Sequence, residues 1–595
     1  MMDAMDDLMT AASAEKKLRQ PHLRRKGSAS DMSGGTDYYV NDPVWMTHPT
    51  QAWIPAKLTR IIDDTHICVR AEQRQYDLGE QQAQFHTAEA EATLSKNDTN
   101  TGSKKGKRQE PSIVYVLPRD HRMQKEFGIE NMDDMVHLHE AAVLDNLRVR
   151  FSHDLIYTST GPILIAMNPF KRLSIYSTER MLATHTKLCT ISGATECEPH
   201  VFTTVGQSYI AMKETHENQS MVICGESGAG KTETTKLMLR YLSKTASKIK
   251  GGGEIEEQIL ESNPLMEAFG NAKTLRNDNS SRFGKYVKVQ FNARYEIIGA
   301  QITNYLLEKS RIVHQPENER NYHIFYQLFK GCNVPGDSNE ALATLLHLDK
   351  RDINDFNYLN QSGCTNVMSI DDVNGNELSF RETKEAMKSM KINGDELNFV
   401  YCVLGGILHL GNIEFEDSEE KSIVLESTQE SVRIAADLFQ VDEEQLGTVL
   451  RQRIRRVGGH PIASPLTASE AAQTKDALAK AIYDKLFTWL VQRINSTIAQ
   501  MRSDTFIGIL DIYGFEDLDP NGFEQLFINY ANEKLQVSNK KVSKHLLVVV
   551  VVVVVVVSDM ICYLLFIFFS SFSPSLPLPL SLFSNLPQAL FNEHI

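Results

Sequence analysis

Gly225–Thr232 reads "GESGAGKT", which fits G-x-x-x-x-G-K-[ST]. It follows the apolar run "SMVIC" (220–224) and opens the helix-like "TETTKLMLRYL" (232–242). A strand, a glycine-rich loop and a helix start, in that order, are the context a phosphate-binding loop requires. Gly225, Gly228 and Gly230 let backbone N–H groups turn inward around phosphate oxygens, with Glu226, Ser227 and Ala229 completing the cradle. The helix N-terminus adds the positive end of its dipole. Lys231 is long enough to reach the β- and γ-phosphates, and the Thr232 hydroxyl suits Mg²⁺. The stretch therefore predicts a P-loop NTPase core: an α/β fold with a mostly parallel or mixed central sheet flanked by helices.

The rest of the chain is compatible with that core. Its 595 residues are enough for several domains or one large one. It is 42% hydrophobic and 23% charged, ordinary for a globular protein. A net charge of -14 weighs against a general nucleic-acid binder. The eight cysteines form no C-x-x-C pair, so reduced thiols are expected rather than a disulfide framework or zinc site. The first residues lack the apolar core of a signal peptide.

Composition divides the chain into segments. Residues 1–37 are polar with a basic run and read as a disordered arm. Residues 38–78 carry short β-rich runs broken by Pro and Asp, which predicts a small β-barrel-like module. Residues 79–112 read as a low-complexity linker ending in "GSKKGKRQ". From 113 to 536 apolar runs alternate with helical patterns. "GPILIAMN" (161–168), "SMVICGES" (220–227) and "FIGILDIYGFE" (506–516) are the buried-strand candidates.

Two stretches sharpen the reading of the phosphate site. "NDNSSRFGKY" (277–286) sets small polar residues beside Arg282. "DIYGFE" (511–516) ends a strand on Asp511, where a carboxylate that holds Mg²⁺ belongs. Gly514 can offer a backbone N–H to a γ-phosphate without side-chain hindrance.

These stretches, in this order, resemble the P-loop, switch I and switch II of the myosin motor domain. "NPFKRLSIY" (168–176), "NPLMEAFGNAKTLRNDNSSRFGK" (263–285), "LLEKSRI" (306–312), "ERNYHIFYQL" (319–328), "LGGILHLGNIEF" (404–415), "DALAKAIYDKLF" (476–487) and "FEQLFINYANEKLQ" (523–536) resemble further motor text. The resemblance covers about 113–536, and 38–78 resembles the small N-terminal barrel of many myosins. It implies ATP and Mg²⁺ as ligands, with Asn168, Pro169 and Tyr176 near the adenine; Ser174 stands where many members have Pro. It implies Asn277 against the phosphates, Ser281 beside Thr232 on Mg²⁺, Ser280 orienting the lytic water and Asp511 on a metal-bound water. Arg282 and Glu516 resemble the salt bridge that forms when both switches close. Lys231, Ser280, Ser281, Arg282, Gly514 and Glu516 are then the expected catalytic set.

The resemblance also implies an actin filament as partner and a cytoplasmic, cytoskeleton-associated setting. Light-chain or calmodulin contacts would fall in a lever arm beyond this chain. So would the converter, the rest of the relay helix, much of the actin-binding lower region and one central strand of the sheet. As it stands the chain is expected to be unable to stroke. His460 lies at the actin-loop position usually held by an acidic or phosphorylatable residue. A nucleotide-binding pseudo-motor is the alternative, against which the intact Lys231, Ser281, Arg282 and Glu516 argue.

One segment fits none of this. Val548–Val557 is ten valines, followed by "SDMICYLLFIFFSSFSPSLPLPLSLFSNLPQ". Joining Gln536 to Ala589 restores the seamless family text "NEKLQALFNEHI", so 537–588 reads as an insertion in a helix and 589–595 as its resumption. Residues 546–569 have the length of a bilayer span, but Asp559 near the middle is costly in lipid. The codons favour another origin. Val537-Ser538 is what "GTAAGT" encodes and Gln588 what "CAG" encodes, the two ends of an intron. Between Leu564 and Pro587, 22 of 24 residues are Leu, Phe, Ser or Pro, as a pyrimidine tract would give. Residues 537–588 are therefore expected to be a translated intron that does not fold.

Overall fold

The computed structural model describes residues 42–48, 52–61, 66–71, 81–85, 114–119, 126–190, 197–246, 254–332, 339–349, 351–367, 378–418, 421–457, 460–512, 514, 516, 521–523, 525–530, 532 and 549–555. The chain divides into two compact units, one of residues 1–155 and 558–595, the other of 156–557.

In the first unit, β1 (Pro43–His48), β2 (Ala52–Ile61), β3 (His66–Ala71), β4 (Gln81–Phe85) and β5 (Val114–Pro118) pair in sequence, and β5 also pairs with β1. Alternation turns Trp45 and Trp53 inward, where they pack with Ala141 of α1 (Glu140–Ser152) and with Leu117. Arg119 lies over the Trp45 ring. This β-module overruns its expected bounds. β4 falls in the segment read as a linker, and β5 falls past the expected start of the motor region. "QQAQF" was missed because Gln and Ala have low strand propensity; β4 exists through its pairing with β3 and β5.

The second unit is built on a seven-stranded sheet of order β12-β11-β17-β8-β18-β7-β6. Its strands are β6 (Tyr157–Thr160), β7 (Ile163–Met167), β8 (Gln219–Gly225), β11 (Gly284–Phe291), β12 (Ile297–Tyr305), β17 (Thr505–Asp511) and β18 (Val549–Val555). All three buried-strand candidates are in it, as β7, β8 and β17. The sheet is mixed rather than mostly parallel: β17–β8, β8–β18 and β18–β7 run parallel, while β12–β11, β11–β17 and β7–β6 run antiparallel. Register carries chemistry to one end. Asp511, the last residue of β17, lies opposite Ile223 of β8 and Lys285 of β11.

The described helices of this unit are α2 (Thr178–Leu188), α3 (Val201–Thr215), α4 (Lys231–Thr245), α5 (Glu254–Gly270), α6 (His323–Cys332), α7 (Glu340–Leu345), α8 (Leu378–Ser389), α9 (Asp395–Gly411), α10 (Gln429–Phe439), α11 (Glu443–Arg451) and α12 (Ala468–Ile498), of which α3, α4, α5 and α12 pack on the sheet. α12, the longest described, starts on a capping box. The Thr467 side chain accepts from the Glu470 N–H, and the Glu470 carboxylate accepts from the Thr467 N–H. Tyr483 on α12 is fully buried and its hydroxyl donates to Phe269 O of α5 at 2.7 Å, tying the longest helix to the segment before switch I. Smaller two-stranded sheets complete the unit: β9 (Asn271–Ala272) with β10 (Ser280–Ser281), β13 (Phe415–Ser418) with β14 (Lys421–Val424), and β15 (Gln452–Val457) with β16 (His460–Pro465). His460 opens β16 opposite Val457, so the expected actin-loop position is part of a hairpin strand.

The expectation that 537–588 contributes no folded element is corrected at Val549–Val555, which forms β18 between β8 and β7. The physical reason is the place it takes. Without β18, the strands that carry Gly225 and Met167 would each present an open edge, and valine has high strand propensity. No helix among the described residues is long and apolar enough to cross a membrane. Residues 546–548 and 556–569, the remainder of the considered span, lie outside the described residues, as do the arm at 1–37 and the resumption at 589–595.

Candidate functional site

The P-loop leaves β8 through backbone conformations that only glycine tolerates well. Gly228 has φ +80° and Gly230 φ +103°. Gly230 caps α4, whose first residue is Lys231. The Lys231 side chain is buried and its ammonium donates to Gly225 O at 3.1 Å and Glu226 O at 2.6 Å. Burial pulls this ammonium down to about 8, opposed by the carboxylates of Asp511, Glu516 and Glu226. A cleft opens over the loop. Asn168, Lys231, Thr232, Asn277, Ser281 and Asp511 are among the residues that line it.

The three residues expected around Mg²⁺ converge from three elements. Thr232 Oγ1 on α4 lies 3.2 Å from Ser281 Oγ on β10, and donates to Asp511 Oδ2 on β17 at 3.2 Å. An oxygen-only set with one carboxylate is the donor chemistry that suits a small hard cation. Lys285, held by Asn263 Oδ1 at 2.8 Å, stands behind Asp511. Burial raises the Asp511 carboxyl, and Lys285 and Lys231 oppose that rise. Ser280 Oγ lies 3.2 Å from Ser227 Oγ, joining switch I to the P-loop.

Gly514 shows the tightest steric requirement in the site. A Cβ there would overlap Ser227 N and Glu226 C, and would stand 2.8 Å from Lys231 Nζ. No residue with a side chain fits against the loop in this arrangement.

Arg282 and Glu516 meet in a second, smaller pocket that shares Ser227 with the cleft. Arg282 Nη1 donates to Glu516 Oε1 at 2.5 Å and Nη2 to Oε2 at 3.3 Å. Both side chains are buried. The guanidinium also donates through Nε to Glu308 Oε2 at 2.6 Å and through Nη1 to Ser280 Oγ at 3.3 Å. Glu308 is shared with Arg311, whose Nε donates to it at 2.7 Å; Arg311 pairs in turn with Glu319 at 2.8 Å. Burial alone would raise the Glu308 carboxyl, yet Arg282 and Arg311 hold it at about 2. The same carboxylates lift Arg282 well above its usual range against its desolvation. On the other side Glu516 is clamped by the segment that follows it. Its N–H donates to Asn529 Oδ1 at 3.0 Å, its carbonyl accepts from Asn529 Nδ2 at 2.7 Å, and its carboxylate accepts from Gln525 Nε2 at 3.2 Å.

At the end of the cleft where the adenine is expected, Asn168 Nδ2 donates to Gly228 O at 3.0 Å and its Oδ1 accepts from Phe170 N at 2.9 Å. Asn168 thus fixes its own loop to the P-loop. Pro169 and Tyr176 do not line the cleft. Tyr176 instead shares a hydrogen bond with Tyr157, oxygen to oxygen 2.9 Å, among the rings of His200 and Phe202. Ser174 begins the short 3-10 turn that ends at Tyr176.

The sequence reading assigned no role to Glu308, Arg311, Asn279 or Lys285. Glu308 and Arg311 stand three apart in "LLEKSRI", spacing that places an acid and a base on one face, and that was the available signal. Asn279 lines the cleft and receives Asn271 Nδ2 at 2.9 Å while donating to Glu267 Oε2 at 3.1 Å. Nothing local in "NDNSS" marks it.

Residues 129–547 match the family model described as Myosin head (motor domain). The chain is 39% identical over 503 residues to Myosin-13 of Arabidopsis thaliana, covering 84% of this chain and 30% of that protein. It is 42% identical over 414 residues to Myosin-14 of the same plant, covering 69% and 26%. It is 43% identical over 412 residues to the Myosin-I heavy chain of Dictyostelium discoideum, covering 69% and 17%. The chain therefore spans less than a third of the length of these relatives. The match stops at 547, immediately before the valine run and past the expected boundary at 536. With the P-loop, both switches and the Arg282–Glu516 pair in family order, the chain belongs to the myosin head (motor domain) family.

Proposed function

We propose that this chain binds Mg-ATP in the cleft above Gly225–Thr232 and hydrolyses its terminal phosphate, and that the protein containing it works as an actin-based motor in the cytoskeleton. The observation that carries the reading is the convergence of Thr232, Ser281 and Asp511 beside a buried Lys231. Their oxygens would hold Mg²⁺, which supplies positive charge to the phosphate oxygens when bound. Backbone N–H groups of Gly228 and Gly230 and the Lys231 ammonium neutralise the phosphates. Ser280 Oγ, poised between Ser227 and Arg282, accepts or donates a hydrogen bond to orient a water. Gly514 closes on the P-loop and lets its N–H face the terminal phosphate. No covalent intermediate on the protein is required.

The residues around Glu516 supply the link from chemistry to shape. Glu516 bonds both Arg282 of switch I and Asn529 beyond switch II. Closing the pair is thereby tied to the position of the segment after it. Actin contact, light chains and a lever arm are expected of the complete protein through its relatives. The test is phosphate release from ATP by this chain with and without Mg²⁺, and by the full-length protein with and without actin filaments. Mg-dependent turnover that actin accelerates in the full-length protein is expected. Absence of nucleotide binding by the chain, or turnover indifferent to Mg²⁺, would overturn the reading.

A further inference from the structure

Arg282 is held from two sides, and the two sides belong to different parts of the chain. Glu516 reaches it from the segment after β17, where Asn529 and Gln525 fasten it. Glu308 reaches it from the segment after β12. The Glu308 N–H donates to Arg282 O at 3.0 Å, and its carboxylate accepts from Arg282 Nε at 2.6 Å. Its carbonyl accepts from the Tyr322 hydroxyl at 2.8 Å. Glu308 is therefore tied to switch I through backbone and side chain together. When switch II withdraws, Glu516 goes with it and Glu308 stays with Arg282.

The neighbours of Glu308 extend this anchored half. Arg311 Nε donates to Glu308 Oε2 at 2.7 Å, and Arg311 Nη2 pairs with Glu319 at 2.8 Å. Glu319 accepts from Leu275 N at 3.3 Å, in the run that leads into switch I. The charges around the pocket count unevenly. Arg282, Arg311, Glu319 and Glu516 are buried, and Glu308 is 12% exposed; the exposed Arg276 also lines the pocket. With Glu516 in place, three enclosed carboxylates meet two guanidiniums. With Glu516 withdrawn, two meet two. A buried charge that loses its partner is strongly unfavourable, and Glu308 spares Arg282 that state.

We propose that Glu308 is a positioning residue for product release: it is the standing counter-ion of Arg282, which lets Glu516 leave and switch II open without stranding a buried guanidinium. Arg282 is then shared between a fixed partner and an exchangeable one. The proposal rests on the ATPase reading above and adds the opening half of the cycle to it, since the pair that closes over the terminal phosphate must part before the phosphate leaves.

Removing Glu308 has a sign that a supporting role alone would not give. In Glu308→Gln, Arg282 depends on Glu516, and opening leaves it unpaired. Hydrolysis of Mg-ATP should stay within a few-fold of the unsubstituted chain, while phosphate release slows roughly 10-fold or more. Quench-flow measures the first and a fluorescent phosphate-binding sensor the second, in the same preparation. Glu308→Asp keeps the charge but draws it back by one methylene group. It should slow release in the same direction by less, and it carries the test if the first variant does not fold. If Glu308 served only to prop Arg282 for the chemical step, hydrolysis would slow and release would keep its rate. That result, or release as fast as in the unsubstituted chain or faster, would overturn the proposal. Absence of hydrolysis by the unsubstituted chain would instead overturn the ATPase reading, and the proposal with it.

Discussion

Arg282 and Glu516 stand 234 residues apart and meet in a buried, two-pronged ion pair, yet Arg282 has a second carboxylate, Glu308, at 2.6 Å. That changes which substitution tests the pair. In Arg282→Glu, three carboxylates would crowd a buried site with only Arg311 left to oppose them. Breaking a buried pair this way costs about 3–5 kcal/mol, so loss of fold would accompany loss of activity. Glu516→Gln keeps the bonds to Gln525 and Asn529 in reach and leaves Arg282 paired with Glu308. Its expected effect is nucleotide binding within a few-fold of the unsubstituted chain and a hydrolysis step slowed on the order of 100-fold. Fluorescent-nucleotide titration and single-turnover phosphate release measure the two separately. Equal hydrolysis rates would remove Glu516 from the chemistry.

What the sequence showed and what it hid divide along a physical line. Gly225–Thr232 and Asp511–Glu516 are local: strand, turn and helix start sit within a few residues, and their chemistry follows from backbone geometry. Glu308 and Lys285 act across elements: the local spacing of Glu308 and Arg311 shows an acid beside a base, but the bonds to Arg282 and Asn263 depend on tertiary placement that no local pattern carries. β4 was hidden for a related reason. "QQAQF" becomes a strand only because β3 and β5 flank it. The valine run misled in the opposite direction. Its intron-like codons point to a segment outside the fold, but a strand enclosed between two parallel neighbours needs only an apolar run, and the valines supply one.

Gly514→Ala tests the closest contact in the site. The added methyl group would overlap Ser227 N and press on Lys231 Nζ. Either the P-loop or switch II must retreat. A displacement near 1 Å in a positioned site slows reaction by roughly 100-fold. The expected outcome is a folded chain with weakened ATP affinity and turnover down by that order, read by calorimetry and steady-state phosphate release. Unchanged turnover would mean that switch II does not close on the loop during reaction.

Asp511→Asn separates metal binding from nucleotide binding. The substitution removes one charge from the Thr232–Ser281–Asp511 set while keeping an oxygen that can accept from Thr232. Affinity for Mg-nucleotide should fall roughly 10- to 100-fold, the range typical when the support of a metal site is altered. Affinity for nucleotide in EDTA should hardly change. Titration calorimetry under both conditions checks the difference, and equal losses in both would indicate a distorted P-loop instead.

His409 on α9 predicts how stability responds to acid. It is fully buried, one ring nitrogen lies 2.9 Å from Leu346 O, and the other has no hydrogen-bond partner among the described residues. Burial, aided by Arg351 and His347, pulls its imidazole from the usual 6.5 down to about 4, although the Leu346 carbonyl and Glu430 work the other way. The folded state therefore binds this proton less readily than the unfolded chain. Its contribution is fully present above about pH 6.5 and is lost progressively as pH falls toward 4. At pH 5 the loss from this one residue is about 2 kcal/mol. His409→Gln keeps a donor for Leu346 O but cannot take up a proton. Urea unfolding at pH 7.5 and pH 5 should show a smaller acid penalty for the variant by that amount. Equal penalties would mean that the acid sensitivity arises elsewhere, with His200, held near 3 by burial and Arg180, the next group to test by the same comparison.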